Sequence, residues 1–160
     1  MTKREKDIII QIKESLKEKI ISWEERTANR HYFTIKKGDI VAVARYLFEK
    51  GKARFITASG IDTPRGIEIL YHFSFDHHGG KVVTVKTLVP KDKCEIESIT
   101  PYITGAVFIE REIQDLLGVR FLNHPDPRPL LAAESWPKDW YPLRCDFRDT
   151  QFTDNTKQEK

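Results

Sequence analysis

The chain contains few cysteines: Cys94 and Cys145 lie far apart in the sequence and without CxxC spacing. Iron–sulfur clusters and all-cysteine zinc sites need about four thiolates, so two separated cysteines predict neither kind of centre. Without a pairing pattern, both are expected to be free thiols in a reducing compartment. The sequence therefore predicts no cofactor bound by this chain.

Long hydrophobic runs are also lacking. The longest apolar stretches, Ile8 to Ile10 and Ile40 to Ala44, are far shorter than the roughly 20 residues that a bilayer span needs. The N-terminal MTKREKD has no apolar h-region, so no signal peptide is predicted. We expect a soluble chain that meets a membrane only indirectly, through a partner.

The charge is nearly balanced. The chain has 27 basic and 24 acidic residues among 160, for a net charge of +3. This balance is typical of a solvated surface and does not indicate a polyanion-binding protein. Its 39% of apolar residues indicates a globular chain, and its 160 residues are enough to bury one core.

Apolar spacing predicts a first helix over residues 5–26, with Ile9, Ile12, Leu16, Ile20 and Trp23 on one face. A strand is predicted over 31–36. Asp39 is then the expected N-cap of a helix over 40–49 that ends at Lys50-Gly51.

The clearest strand signal lies at 67–75, where apolar and polar residues alternate. His77-His78-Gly79-Gly80 predicts a turn, and 81–89 a partner strand. A shorter strand is expected at 54–58, followed by a polar loop around Gly60, Pro64 and Gly66. A last helix covers about 105–117, with Gly118 as its C-terminal cap.

This element order predicts an α+β fold: a two-layer sandwich of a mixed or antiparallel sheet with helices on one side. The α+β domain is expected to span residues 1–121. An extended docking arm then covers 122–147, and 148–160 form a flexible tail.

The last helix has two faces with distinct side chains. One is an ordinary apolar stripe, while the other holds Phe108, Arg111, Glu112 and Asp115. Arg111 and Asp115 have the spacing of an ion pair. Either this face is solvated, with Phe108 as a stray exposed aromatic, or the C-terminal arm or a partner protein covers it.

The arm is rich in proline and tryptophan. Five of the eight prolines lie between Pro125 and Pro142, together with Trp136 and Trp140. Proline excludes this stretch from a regular helix or a central strand, so an extended and stiff conformation is predicted. The arm either wraps this domain's own core or docks on a partner, and both can hold at once.

Catalytic motifs are not found. The chain has no Gly-rich phosphate loop, GxSxG elbow or HExxH motif. The position of His77-His78 favours a solvated turn over a metal site. The position of His124 favours hydrogen bonding to the arm's backbone over a role as a catalytic base. A hydrolase using His124 with Glu110 or Asp115 would lack an oxyanion site and ranks last.

Two motifs carry a family resemblance. EREIQDLLG at 110–118 with VRFLNHPD at 119–126, and PLRCDF at 142–147, resemble the thirty-kilodalton subunit of respiratory complex I, the NADH–quinone oxidoreductase. The family also includes the corresponding small subunit of membrane-bound, energy-converting [NiFe] hydrogenases. The matching residues are Glu110, Arg111, Glu112, Asp115, Gly118, Phe121, His124, Pro125, Asp126, Pro142, Leu143, Arg144 and Asp146.

The resemblance implies a structural subunit without cofactors or catalytic residues of its own. It would sit peripherally at the cytoplasmic face of the membrane, in the hydrophilic arm of a complex that couples electron transfer to ion translocation. The implied partners are a large hydrogenase-like subunit of the forty-nine-kilodalton type and iron–sulfur subunits, with a [NiFe] site in the hydrogenase branch. The expected partner interface consists of Phe108, Glu110, Arg111, Glu112, Asp115, His124, Pro125, Trp136, Trp140, Arg144 and Asp146.

The alternative function is a small module that binds single-stranded RNA. The pI near 8.8 and the aromatic strand at 67–75 favour it. Such a module needs basic residues beside exposed aromatics, and Glu68, Asp76 and the acidic last helix argue against that grouping.

Overall fold

The computed structural model describes residues 7–133 and 135–147. In these residues the helices are α1 (Ile8–Ser15), α2 (Ile40–Arg45) and α3 (Val107–Leu117). The strands are β1 (Ser22–Thr27), β2 (Arg30–Ile35), β3 (Arg54–Thr63), β4 (Gly66–Phe75), β5 (Lys81–Val89), β6 (Glu95–Glu97) and β7 (Arg120–Leu122).

Five strands form one mixed sheet in the order β1-β2-β5-β4-β3. The β2 and β5 strands are parallel, and the other neighbours are antiparallel. The β6 and β7 strands pair in parallel as a second, two-stranded sheet. The predicted α+β class with a mixed sheet is confirmed.

The β4–β5 hairpin forms the centre of the sheet, as its alternating pattern predicts. Ile67, Ile69, Tyr71 and Phe73 are fully buried on one face, opposite the buried β5 side chains. Gly79 and Gly80 close the turn at φ 74° and 68°, where residues with a side chain are strained. Burial of one face fixes the register of this pair.

Helices α1 and α3 contact the same face of the sheet, and so does the turn that follows α2. Lys13 of α1 lies over the ring of Trp23, 4.6 Å from its centroid, and Gly51, after α2, lies against Phe75. Glu110 of α3 meets Tyr71 of β4. The buried core includes side chains from this sheet face and from the helices, together with Ile96 and Phe121 of the β6–β7 pair.

The first predicted helix is wrong in its C-terminal half. The α1 helix ends at Ser15, and residues 22–27 form the edge strand β1. Trp23 stacks on Phe33 of β2, with centroids 5.3 Å apart and planes 3° apart. Strand pairing with β2 thus overrides a spacing that also fits a helix.

Two boundaries also differ from the prediction. The β3 strand continues to Thr63, so Gly60 lies inside a strand and not in a loop. The side chain of Asp39 pairs with Lys19 and does not cap α2. The α2 helix continues as a wider turn, Tyr46–Lys50, and ends at Gly51 as predicted.

The α3 helix ends where the sequence predicts. Gly118 takes the left-handed conformation at φ 70°, and its N–H donates to the carbonyl oxygen of Gln114. The predicted flexible tail at 148–160 lies outside the described residues. No helix in the described ranges combines the length and the apolarity needed to cross a bilayer.

Candidate interaction site at helix α3 and the C-terminal arm

Glu110 is the most deeply buried charged residue of α3, with 0% of its surface exposed. Its carboxyl accepts hydrogen bonds from the Ile99 N–H at 3.1 Å, the Ser98 hydroxyl at 2.5 Å and the Tyr71 hydroxyl at 3.3 Å. Burial raises the pKa of Glu110 to about 7, against the lowering effect of these three donors. The carboxyl therefore joins α3, β4 and the 98–100 segment from inside the fold.

Arg111 lies on the outer side of α3 and binds the arm. Its Nε donates to the carbonyl oxygen of Arg128 at 2.8 Å, and one terminal nitrogen donates to that of Pro129 at 2.9 Å. The other terminal nitrogen pairs with Asp126 at 3.1 Å. A planar guanidinium can serve three acceptors at once, which a lysine ammonium cannot do with the same geometry.

Asp115 lies one turn further along α3 and binds the next residues of the arm. One carboxylate oxygen accepts the backbone N–H groups of Leu130 and Leu131 at 2.7 Å and of Ala132 at 3.1 Å. The ion pair predicted between Arg111 and Asp115 is therefore replaced by contacts of each residue with the arm. We call Arg111 and Asp115 together the arm clamp.

Asp126 connects the clamp to Arg128. Its two carboxylate oxygens accept from the Arg128 guanidinium at 2.7 and 2.9 Å and from Arg111. The bidentate pair with Arg128 holds the pKa of Asp126 well below its usual range.

His124 ties the start of the arm to the start of α3. Its Nδ1 accepts from the Asp126 N–H at 3.1 Å, so Nε2 carries the proton and donates to the carbonyl oxygen of Val107 at 3.1 Å. Both ring nitrogens of His124 are therefore engaged in hydrogen bonds within this chain. The contacts give it no free nitrogen to act as a base.

The far end of the arm is fixed by Arg144. Its Nε donates to the carbonyl oxygen of Leu117 at 2.8 Å, at the C-terminus of α3 where a cation is favourable. The guanidinium also stacks on Tyr141, 4.5 Å from the ring centroid. The next residue, Cys145, donates its N–H to Asp62 of β3.

The remaining predicted interface residues lie on or near the surface. Phe108 is 65% exposed, and Glu112, Trp136 and Trp140 are half-buried. Pro125 and Asp146 are exposed. The two tryptophan rings meet edge to face at 5.2 Å, and Trp136 donates its indole N–H to the Trp140 carbonyl.

Several partners in this site were not among the predicted site residues. Tyr71, Ser98 and Asp126 complete the networks of Glu110 and Arg111. Asp126 is among the residues that match the family motif, because it follows His124-Pro125, whereas Ser98 is not among them. Their contacts are long-range and cannot be read from local spacing.

The aromatic strand does not offer a nucleic-acid surface. Tyr71, Phe73 and Phe75 are exposed by 1% or less, so they cannot stack on bases. Among residues 7–133 and 135–147, no group of three His, Cys, Asp or Glu side chains is arranged to hold a metal ion.

Known proteins resemble this chain in sequence and in fold. The family described as respiratory-chain NADH dehydrogenase, 30 Kd subunit, matches residues 33–153. A subunit of the F(420)H(2) dehydrogenase of Methanosarcina mazei is 35% identical over 119 residues, covering 71% of this chain and 72% of that protein. Hydrogenase-4 component G of Escherichia coli is 32% identical over 133 residues, which cover 81% of this chain but only 24% of that protein.

A solved structure shows the same fold. A chain of the membrane-bound sulfane sulfur reductase, an archaeal respiratory membrane complex, superposes with a TM-score of 0.80. The match covers 94% of this chain and 89% of that one at 22% identity. From the match over residues 33–153, the chain belongs to the family of the 30 kDa subunit of respiratory-chain NADH dehydrogenase.

Proposed function

We propose that this chain is a structural subunit in the hydrophilic arm of a membrane-bound redox complex, of the energy-converting hydrogenase or NADH/quinone oxidoreductase type. It binds the large catalytic subunit at the cytoplasmic face of the membrane. Electron transfer coupled to ion translocation takes place in its neighbours, which hold iron–sulfur clusters and, in the hydrogenase branch, a [NiFe] site. This chain contributes no cofactor and no active site.

The observation that carries the proposal is the arm clamp. Two charged side chains of α3, each at least nine-tenths buried, bind backbone groups of residues 128–132 and fix that part of the arm. Fixing a binding segment in advance lowers the entropy that is lost when it docks. Leu131 and Leu143 of the arm remain 51% and 57% exposed, as residues that bind a neighbour would be.

The family match supports the same proposal. The relatives include a subunit of F(420)H(2) dehydrogenase and a component of hydrogenase-4. The proposed interface consists of Phe108, Glu112, Pro125, Trp136, Trp140 and Asp146 as surface residues, with Arg111, Asp115, His124 and Arg144 positioning the arm. Glu110 holds the fold from inside and has no surface to offer a partner.

Assembly in the native host tests this function. In cells lacking the chain, we expect the large subunit and the iron–sulfur subunits to fail to assemble at the membrane. Adding back the wild-type chain restores the complex. Full assembly without the chain would contradict the proposal.

Point variants expressed in the strain that lacks the chain distinguish a defect in assembly from a defect in folding. Arg111→Ala and Asp115→Ala are expected to lower the amount of assembled complex while the isolated variants keep their circular dichroism spectra. Unfolding of the isolated variants would show that the clamp serves the core of this domain instead.

A further inference from the structure

A shallow groove runs between β3 and α3, next to the point where the arm crosses the end of the helix. Its volume is about 220 Å³, below the roughly 300–1,000 Å³ of a typical small-molecule pocket, so it has room for one or two side chains. The lining is mostly apolar and includes Ile109, Ile113, Leu116 and Leu143, with Ser59 and Glu112 as its polar residues.

Glu112 is the charged residue of this groove, and it is half-buried. Within the described part of the chain, its carboxylate has no hydrogen bond and no ion pair. Two cations adjacent in sequence to groove residues are already engaged. Arg111, next to Glu112, binds Asp126 and two arm carbonyls. Arg144, next to Leu143, binds the end of α3 and stacks on Tyr141. A carboxylate between apolar walls is costly to bury unless a cation pairs with it.

Two exposed apolar side chains belong to the segments that form the groove. Phe108 lies one turn before Glu112 on α3 and is 65% exposed, and Leu143, which lines the groove, is 57% exposed. On its outer side, β3 is the edge strand of the five-stranded sheet. The groove therefore lies beside the edge of the sheet, where a partner protein can approach it.

We infer that this groove binds an apolar segment of a partner protein that carries an arginine, whose guanidinium pairs with Glu112. Arginine fits because its planar fork can bind a carboxylate through two hydrogen bonds while its stem lies along apolar surface. The inference rests on the proposed function, since the partner is the large subunit of the complex. It adds the place of contact and the chemistry of the bound segment.

Charge reversal at Glu112 tests the inference in the assembled complex. The tagged full-length chain is expressed in its native host, and the large subunit that co-purifies is quantified by mass spectrometry. Glu112→Arg is expected to lower recovery at least about tenfold, because it places like charges together at a covered site. Glu18→Arg, the same change at an exposed position after α1, is the matched control and should keep full recovery.

A second variant guards against a folding defect. Leu143→Glu changes an exposed side chain, so the fold is expected to survive, and recovery should fall as for Glu112→Arg. A photo-crosslinker at position 143 should then label a segment of the large subunit with an arginine between apolar residues. Crosslinks to a second copy of this chain would overturn the inference.

The outcomes separate the two proposals. If the wild-type chain recovers the large subunit and both groove variants do so equally well, the groove inference is wrong and the proposed function stands. If the wild-type chain recovers no large subunit, the proposed function fails, and the groove inference fails with it.

Discussion

Arg111 and Asp115 lie one turn apart on α3, yet each binds the C-terminal arm and not the other. Arg111 takes two arm carbonyls and the Asp126 carboxylate, whereas Asp115 takes three successive arm N–H groups. Arg111 thus binds hydrogen-bond acceptors of the arm, and Asp115 binds donors that follow them in the sequence. Arg111 and Asp115 could form an ion pair with each other, but instead they fix residues of the arm that lie more than ten positions further along the chain.

Removal of the Asp115 carboxylate should loosen the arm and leave the sheet intact. Three N–H groups lose their acceptor in Asp115→Ala, and each such bond contributes about 0.5–1.5 kcal/mol. We expect amide hydrogen exchange at Leu130, Leu131 and Ala132 to accelerate about 10- to 100-fold. Amides of β4 should exchange at the wild-type rate.

Glu112→Ala is the matched control for that experiment. It removes a carboxylate from the same helix that has no hydrogen-bond partner among the described residues, so exchange at Leu130 to Ala132 should not change. Unchanged exchange in Asp115→Ala as well would show that the arm is held by other contacts.

Stability should depend on pH through Glu110. Its pKa is raised by burial from 4.5 to about 7, so the folded state binds a proton more tightly than the unfolded state. The resulting stabilisation is fully present below about pH 4.5 and is lost as the pH rises through about 7. By linkage it amounts to about 3 kcal/mol.

A comparison with Glu110→Gln isolates this contribution. The difference in the free energy of unfolding between wild type and variant, measured in urea from pH 5 to pH 8, should move in favour of the variant as the pH rises. A difference that does not change with pH would mean that burial leaves the pKa of Glu110 near its unfolded value.

A side chain at Gly118 is expected to destabilise the fold. A Cβ there would lie 2.5 Å from Tyr141 and 2.8 Å from Arg144, and the backbone is in the left-handed region at φ 70°. Gly79→Ala supplies the control, because Gly79 has a similar φ of 74° but no atom within 4 Å of a Cβ. We expect Gly118→Ala to cost about 1–3 kcal/mol more than Gly79→Ala in thermal unfolding. Equal costs would show that Tyr141 and Arg144 do not lie against the helix end.

The central hairpin could be predicted from the sequence because its signals are local. Alternating residues at 67–75, two glycines in the turn and a β-branched partner strand all favour the same structure, and β4 and β5 follow them closely. The end of α3 is equally local, since Gly118 marks it. Such signals need no knowledge of the rest of the chain.

The missed features depend on contacts distant in sequence. Ile20 and Trp23 continue the helical spacing of α1, but the stacking of Trp23 on Phe33 places it in a strand. In the sequence, Glu110, Arg111 and Asp115 form one charged motif, whereas the fold buries the first and directs the other two to the arm. The packing of the fold decides which partner each charged residue contacts, so the motif alone does not predict that partner.

If this chain acts by binding neighbours and performs no chemistry of its own, it should be found in its host only as part of a larger assembly. The most direct test is the stoichiometry of the tagged full-length chain purified under native conditions from its own host. We predict one large subunit per tagged chain, co-eluting with iron–sulfur subunits in a single high-mass peak. Recovery from membranes and cytosol solely as an 18.7 kDa monomer would contradict this role.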